Sequence, residues 1–193
     1  MAIAVAIVPG AQARGLRELL SAGHSAQSTV VPATGRVEIA FSPNEGAEEL
    51  VVRVIRSEAH PGGFLRMLAY GLTNPTVVRE LVSAEGAGAD IKIVADYKQN
   101  IAEDRSGKGR AALDKLSSAG IDTRTIRVYL DHHDKTLFSR TAVATGSYNY
   151  SFAASHLNSE NVVVLWDNPQ AAAVYQRHFQ RNYDQATPYK PGY

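Results

Sequence analysis

His133 and Lys135 stand two apart in Asp131-His132-His133-Asp134-Lys135, and Ser147 and Asn149 stand two apart in Thr145-Gly146-Ser147-Tyr148-Asn149. On an extended chain, side chains at i and i+2 share a face. One surface could therefore present an imidazole, an ammonium, a hydroxyl and a carboxamide, with His132 and Asp134 pointing the other way. Those are the parts needed to hold and attack a phosphate. Lysine brings charge, and Asn brings N–H donors for the non-bridging oxygens. The imidazole can attack phosphorus and form a phosphohistidine. Such a histidine needs its second nitrogen anchored to fix the tautomer. Glu160, in Asn158-Ser159-Glu160-Asn161, is the best carboxylate for that role, because Asp134 faces away by the same parity.

The rest of the chain must position this stretch. Val37–Phe41 alternates apolar and polar residues and reads as a strand. Leu50, Val51, Val54 and Ile55 follow at helical spacing, which predicts a helix from about Gly46 to Ser57. Phe64–Tyr70 has strand length. Asn74 before Pro75 reads as the cap and first turn of a helix carrying Val77, Val78, Leu81 and Val82. Ile91–Ala95 is a buried strand. A polar loop from Tyr97 to Lys108 precedes a helix with Ala112, Leu113 and Leu116, stopped by Gly120. Thr125–Leu130 is a further strand. Strand and helix alternate, so an α/β fold with a largely parallel sheet is expected. Short strands at Lys135–Phe138, Thr141–Thr145 and Asn161–Trp166 predict an antiparallel portion, and Pro169 opens a last amphipathic helix.

Composition sets outer bounds. A chain of 193 residues with 45% apolar and 20% charged residues fits one globular domain. Twenty basic against nineteen acidic residues leave a net charge of +1, so any anion site is local. With no cysteine, thiolate nucleophiles, disulfides and zinc–thiolate sites are excluded. No apolar run approaches membrane-span length. Residues 1–13 pair an apolar stretch with Pro9-Gly10 and Ala11-Gln12-Ala13, which reads as the remnant of a secretory signal without its positive n-region. That reading predicts a periplasmic or secreted protein, and without it a cytoplasmic one. Residues 14–35 read as a flexible tether, 36–185 as the domain and 186–193 as a tail. The other histidines show no ligand spacing, so neither a metal nor a cofactor is assigned. Lys98, Arg105, Lys108 and Arg110 flank the loop after the Ile91 strand, where open sheets place ligand sites; surface solvation is the default for such charges, and contact with a polyanionic backbone, as of a nucleic acid, is the alternative.

The ordered set His133-x-Lys135, Gly146-Ser147-x-Asn149 and Glu160-Asn161 ahead of an apolar strand resembles the phospholipase D superfamily. From about Val37 to Tyr183 the chain is similar to that family's small one-motif bacterial endonuclease branch. Met67–Tyr70, Val94-Ala95-Asp96 and Asn158–Trp166 add to the likeness.

The resemblance implies a mixed, largely parallel sheet flanked by helices on both faces. It also implies a metal-independent phosphodiesterase in which two copies of the chain meet to build one site. One His133 would attack phosphorus, the other would protonate the leaving oxygen, and water would release the phosphohistidine. Lys135, Asn149, Ser147 and Glu160 would support them. The expected activity is non-specific endonuclease cleavage, of DNA first and RNA second, by a homodimer without stable membrane insertion. Alternatives are a phospholipase D-type lipid hydrolase and a catalytically weakened nucleic-acid-binding dimer. The last is raised by one departure: the family places an Asp five residues after the lysine, and here that position is Arg140.

Overall fold

The computed structural model describes residues 28–192, so the signal-like segment and most of the expected tether lie outside the described residues. The elements run β1 (Arg36–Ser42), α1 (Ala47–Ser57), β2 (Phe64–Ala69), α2 (Pro75–Gly86), β3 (Asp90–Asp96), α3 (Lys108–Ser118), β4 (Asp122–Ile126), β5 (Lys135–Phe138), β6 (Val143–Gly146), α4 (Phe152–His156), β7 (Glu160–Trp166), α5 (Pro169–Gln185) and β8 (Thr187–Pro188). One eight-stranded sheet has the order β1-β7-β6-β5-β2-β3-β4-β8. β2, β3 and β4 pair in parallel, and the other neighbours pair antiparallel. The crossover helices α2 and α3 link the parallel strands, as parallel pairing requires. The expected mixed sheet is present, although the antiparallel pairs dominate in number.

Two apolar layers hold the helices to the sheet. Leu50, Val54, Leu81 and Leu113 pack with Met67, Ile93 and Leu137 on one face. Phe179 and the alanines of α5 pack with Leu68, Val94, Phe138 and Val143 on the other. Parity along β2 and β3 divides the two sets, as alternation demands. Asn74 caps α2 by accepting from the N–H groups of Thr76 and Val77, and Pro75 fills the first turn.

Several segments differ from their expectation. The fourth strand occupies Asp122–Ile126, not Thr125–Leu130. Val128 and Leu130 are apolar yet stand exposed in the loop leading to His133. The polar loop after β3 contains a five-residue π-turn, Lys98–Ala102, built around a fully buried Asn100. The sheet takes its eighth strand from the expected tail, and Tyr189 donates to Asp114 Oδ1 at 2.7 Å. Within the expected tether, Pro32 O accepts from Asn168 Nδ2 at 3.0 Å.

Candidate active site

β2 and β6 end, and β5 and β7 begin, along one edge of the sheet. Open sheets bind ligands at the edge where their parallel strands end. His133 lies in the loop just before β5, and Lys135 is the first residue of β5. The backbone N–H of Tyr70 donates to Asp134 O at 2.9 Å and so prolongs the β2–β5 pairing as far as the motif.

The His133 ring rests against Tyr70, with centroids 4.5 Å apart, and makes no hydrogen bond among the described residues. Lys135 is 7% exposed. Its ammonium donates to His133 O at 2.7 Å and sits 4.7 Å from the Tyr70 ring centroid. Burial pulls the ammonium below the usual lysine value, and the carboxylates of Asp134 and Glu160 oppose that. One N–H of the three is committed to His133 O, which leaves the others for an anion. Asn149 Oδ1 is buried without a partner, and the residue opposite is Gly71, where a side chain would meet the amide. That atom is an acceptor, so a phosphate oxygen would meet the Nδ2 donor of the same amide instead. Lys135→Met is expected to lower the catalytic rate by about 10²–10³-fold, with thermal unfolding little changed. A loss of only a few-fold in steady-state kinetics would mean that Lys135 does not bear on the phosphate.

Ser147 and Glu160 bond to each other. Ser147 Oγ donates to Glu160 Oε2 at 2.6 Å and accepts from Asn161 N and Nδ2 at 3.1 and 3.2 Å. A hydroxyl has one donor and two acceptor positions, so Ser147 is saturated and acts as a positioning residue. Asn158 Nδ2 occupies Glu160 Oε1 at 3.0 Å. In this chain no hydrogen bond joins Glu160 to the His133 ring. Glu160 starts β7, two strands from β5, which is roughly 10 Å across the sheet.

His132 and Asp134 face α5, as parity required. Asp134 Oδ2 lies 3.4 Å from His132 Nε2 and 2.9 Å from His178 Nε2, and Arg181 contacts the far nitrogen of His178. Burial would raise the Asp134 pKa, but the imidazoles of His132, 3.4 Å away, and of His178, which is hydrogen-bonded to it, outweigh burial and hold the carboxyl well below the usual range. A depressed folded pKa adds stability that is present above the unfolded value near 4 and is lost as pH falls below it. Asp134→Ala is expected to cost about 1–3 kcal/mol at neutral pH. Its denaturation curves should also lack part of the parent's loss of stability below about pH 4. Parallel pH profiles for the two proteins would refute this.

Other braces left no motif. Asp96, 2% exposed, accepts from His132 N at 2.8 Å and Gln99 N at 2.6 Å, clamping the His133 loop to the π-turn. Asn100 accepts from Leu72 N and donates to Tyr70 O, fixing the strand end opposite Asn149. Tyr148 OH and Ser155 Oγ lie 2.6 Å apart, and Ser155 and Asn74 both donate to Glu48 Oε2. Burial, countered in part by Ser155, pushes the Tyr148 pKa up to about 12, so its hydroxyl stays protonated as a strut.

Of the candidate nucleic-acid contacts, Lys98 is paired with Asp131 Oδ1 at 3.1 Å, while Arg105, Lys108 and Arg110 are exposed. Arg140 lies in the β5–β6 turn at the opposite sheet edge, about 16 Å from Lys135 along the strand. It donates to Gly62 O at 3.0 Å and packs over Phe64. Ser139 Oγ accepts from the N–H groups of Thr141 and Ala142, the turn-closing service an aspartate can give. Among the described residues, no group of three His, Asp or Glu side chains could hold a metal ion, and no helix is long and apolar enough to cross a membrane.

An open α/β sheet carrying imidazole, ammonium and carboxamide at one edge is a fold and site for phosphodiester chemistry. The model of the cardiolipin synthase, PLD-like domain matches residues 57–183. A phospholipase D family member, Nuc from Salmonella typhimurium, superposes with a TM-score of 0.75 at 34% identity, over 80% of this chain and 98% of that one. NucT from Helicobacter pylori superposes with a TM-score of 0.68 at 18% identity, over 80% and 99% of the two chains, a likeness of fold. A phospholipase D from Rickettsia typhi is 28% identical over 146 residues, 75% of this chain and 67% of the relative. The chain belongs to the phospholipase D superfamily and is a phosphodiesterase of that class.

Proposed function

We propose that this chain is a metal-independent endonuclease that cleaves DNA, and RNA in second place, at a site completed by a second copy of itself. The observation that carries the reading is the exposed imidazole of His133 beside a buried Lys135, at the sheet edge where Asn149 stands across from Gly71. In-line displacement needs one group to attack phosphorus and another to protonate the leaving oxygen. One chain supplies one imidazole here. In the proposed reaction His133 of one copy forms a P–N bond as the P–O bond breaks, and the departing oxygen takes its proton from His133 of the partner. Water, deprotonated by that second imidazole, then cleaves the phosphohistidine.

The sheet supports a second copy. Val37, Ile39 and Phe41 of edge strand β1 are 56%, 58% and 48% exposed, and they flank half-buried Val163 and Leu165 on β7, the strand that opens with Glu160. A contiguous apolar face on an edge strand marks an interaction surface. The likeness to Nuc at 34% identity supports the nuclease reading. The position of Arg140, far from the reactive edge, speaks against a weakened enzyme. Plasmid incubated with the protein in EDTA at mildly acid to neutral pH should be nicked and degraded. Intact plasmid would refute the reading.

A lipid hydrolase is the second reading. It is favoured by the relatives named phospholipase D and mitochondrial cardiolipin hydrolase, and by exposed Val128 and Leu130 in the loop before His133. Choline release from phosphatidylcholine vesicles with plasmid left intact would establish it instead.

A further inference from the structure

A groove of about 620 Å³ opens between α2, α3 and the start of α4, next to the reactive edge but outside it. That volume lies in the range of small-ligand sites. Val78, Ala111 and Phe152 line its floor and wall, and Lys108 and Lys115 stand along it. The two lysines are seven residues apart on α3, on the same stripe as Ala111, so about 10 Å of helix separates them. Neither has an ion-pair partner among the described residues. Phe152 is 56% exposed, and its ring stacks on His156 at 4.4 Å, which leaves a pre-oriented aromatic surface at the groove rim. Ser151, also in the lining, is two residues from Asn149, so the groove begins within about 8 Å of the motif.

We infer that this groove is a subsite for the substrate strand next to the scissile phosphate: an unpaired nucleobase lies on Phe152 and the apolar floor, and its flanking phosphates meet Lys108 and Lys115. This rests on the nuclease reading and adds to it a preference for unpaired strands, since a base held in a duplex stack cannot enter. The charge pattern selects this occupant. A cation at each end of an apolar centre matches a polymer that repeats phosphate and base. A lipid carries its charge at one end and its chains at the other.

The test uses full-length His133→Ala protein, which holds substrate without turning it over, and fluorescence anisotropy with labelled oligothymidylate, single-stranded or annealed to its complement. Phe152→Ala should weaken single-strand binding by at least about fivefold and leave duplex binding unmoved. Lys108→Ala with Lys115→Ala should reduce the slope of log affinity against log salt by about 1–2. All three positions are solvent-facing, and unfolding temperatures confirm that the variants fold. The inference is overturned if single-strand affinity and salt slope stay at the parent values, or if the variants lose binding to phosphatidylglycerol vesicles and keep the oligonucleotide. The nuclease reading fails separately, through intact plasmid with the unmutated chain.

Discussion

His133→Ala is expected to reduce phosphodiester cleavage by about 10⁴-fold or more. The ring is exposed and touches only Tyr70 among the aromatic side chains, so its removal leaves the sheet edge standing. A solvent-facing substitution of this kind changes stability by about 0.5 kcal/mol or less. With Lys135 and Asn149 holding the phosphate as proposed, the variant should retain affinity while losing turnover. His132→Ala is the informative control. That ring is 3% exposed and lies against Asp134 on the α5 side, so its loss costs stability and spares chemistry. Single-turnover kinetics on a labelled oligonucleotide distinguish the two. An active His133→Ala protein would place the nucleophile elsewhere.

The second large effect falls on folding. Gly146→Ala is expected to destabilise the chain by about 2–4 kcal/mol, a fall of roughly 5–15 °C in unfolding temperature. A Cβ on Gly146 would overlap the carbonyl oxygen of Asn161 and stand 2.9 Å from both its carbonyl carbon and Oδ1. That oxygen cannot retreat freely, because it accepts from Ser147 N at 3.2 Å and Tyr148 N at 3.3 Å. β6 and β7 would have to part where Ser147 meets Glu160, so activity should fall along with stability. Urea unfolding measures the change, and a midpoint equal to the parent's would refute it.

The glycine in Gly146-Ser147-x-Asn149 thus has a steric reason that spacing alone does not show. Much of the site was nonetheless legible. Parity placed Lys135 and His132 on opposite sides, and the alternation of exposed Ser147, buried Tyr148 and partly exposed Asn149 followed the expected extended course. Helices with a strong apolar stripe, such as α1 and α5, begin at or within one residue of where Gly46 and Pro169 placed them. What failed was long-range in origin. Val128 and Leu130 have strand-like composition, but the Asp96–His132 bond, 36 residues apart in sequence, pulls this segment out of the sheet. Asn100 looks like loop polarity and is fully buried, because three backbone groups distant in sequence or across the turn converge on its amide. Glu160 stands apart from His133 of the same chain for a related reason: sequence order does not reveal that β6 lies between β5 and β7.

The turn that joins β5 to β6 has a practical use. Since the chain contains no cysteine, Arg140→Cys would give it a unique thiol. That thiol would sit at the edge of the sheet remote from His133, where a fluorophore could report on assembly or a linker could anchor the protein to a surface. Attached there, the molecule would present its reactive rim outward, and in the proposed dimer two labels would measure the span between protomers without either dye entering the path of the substrate.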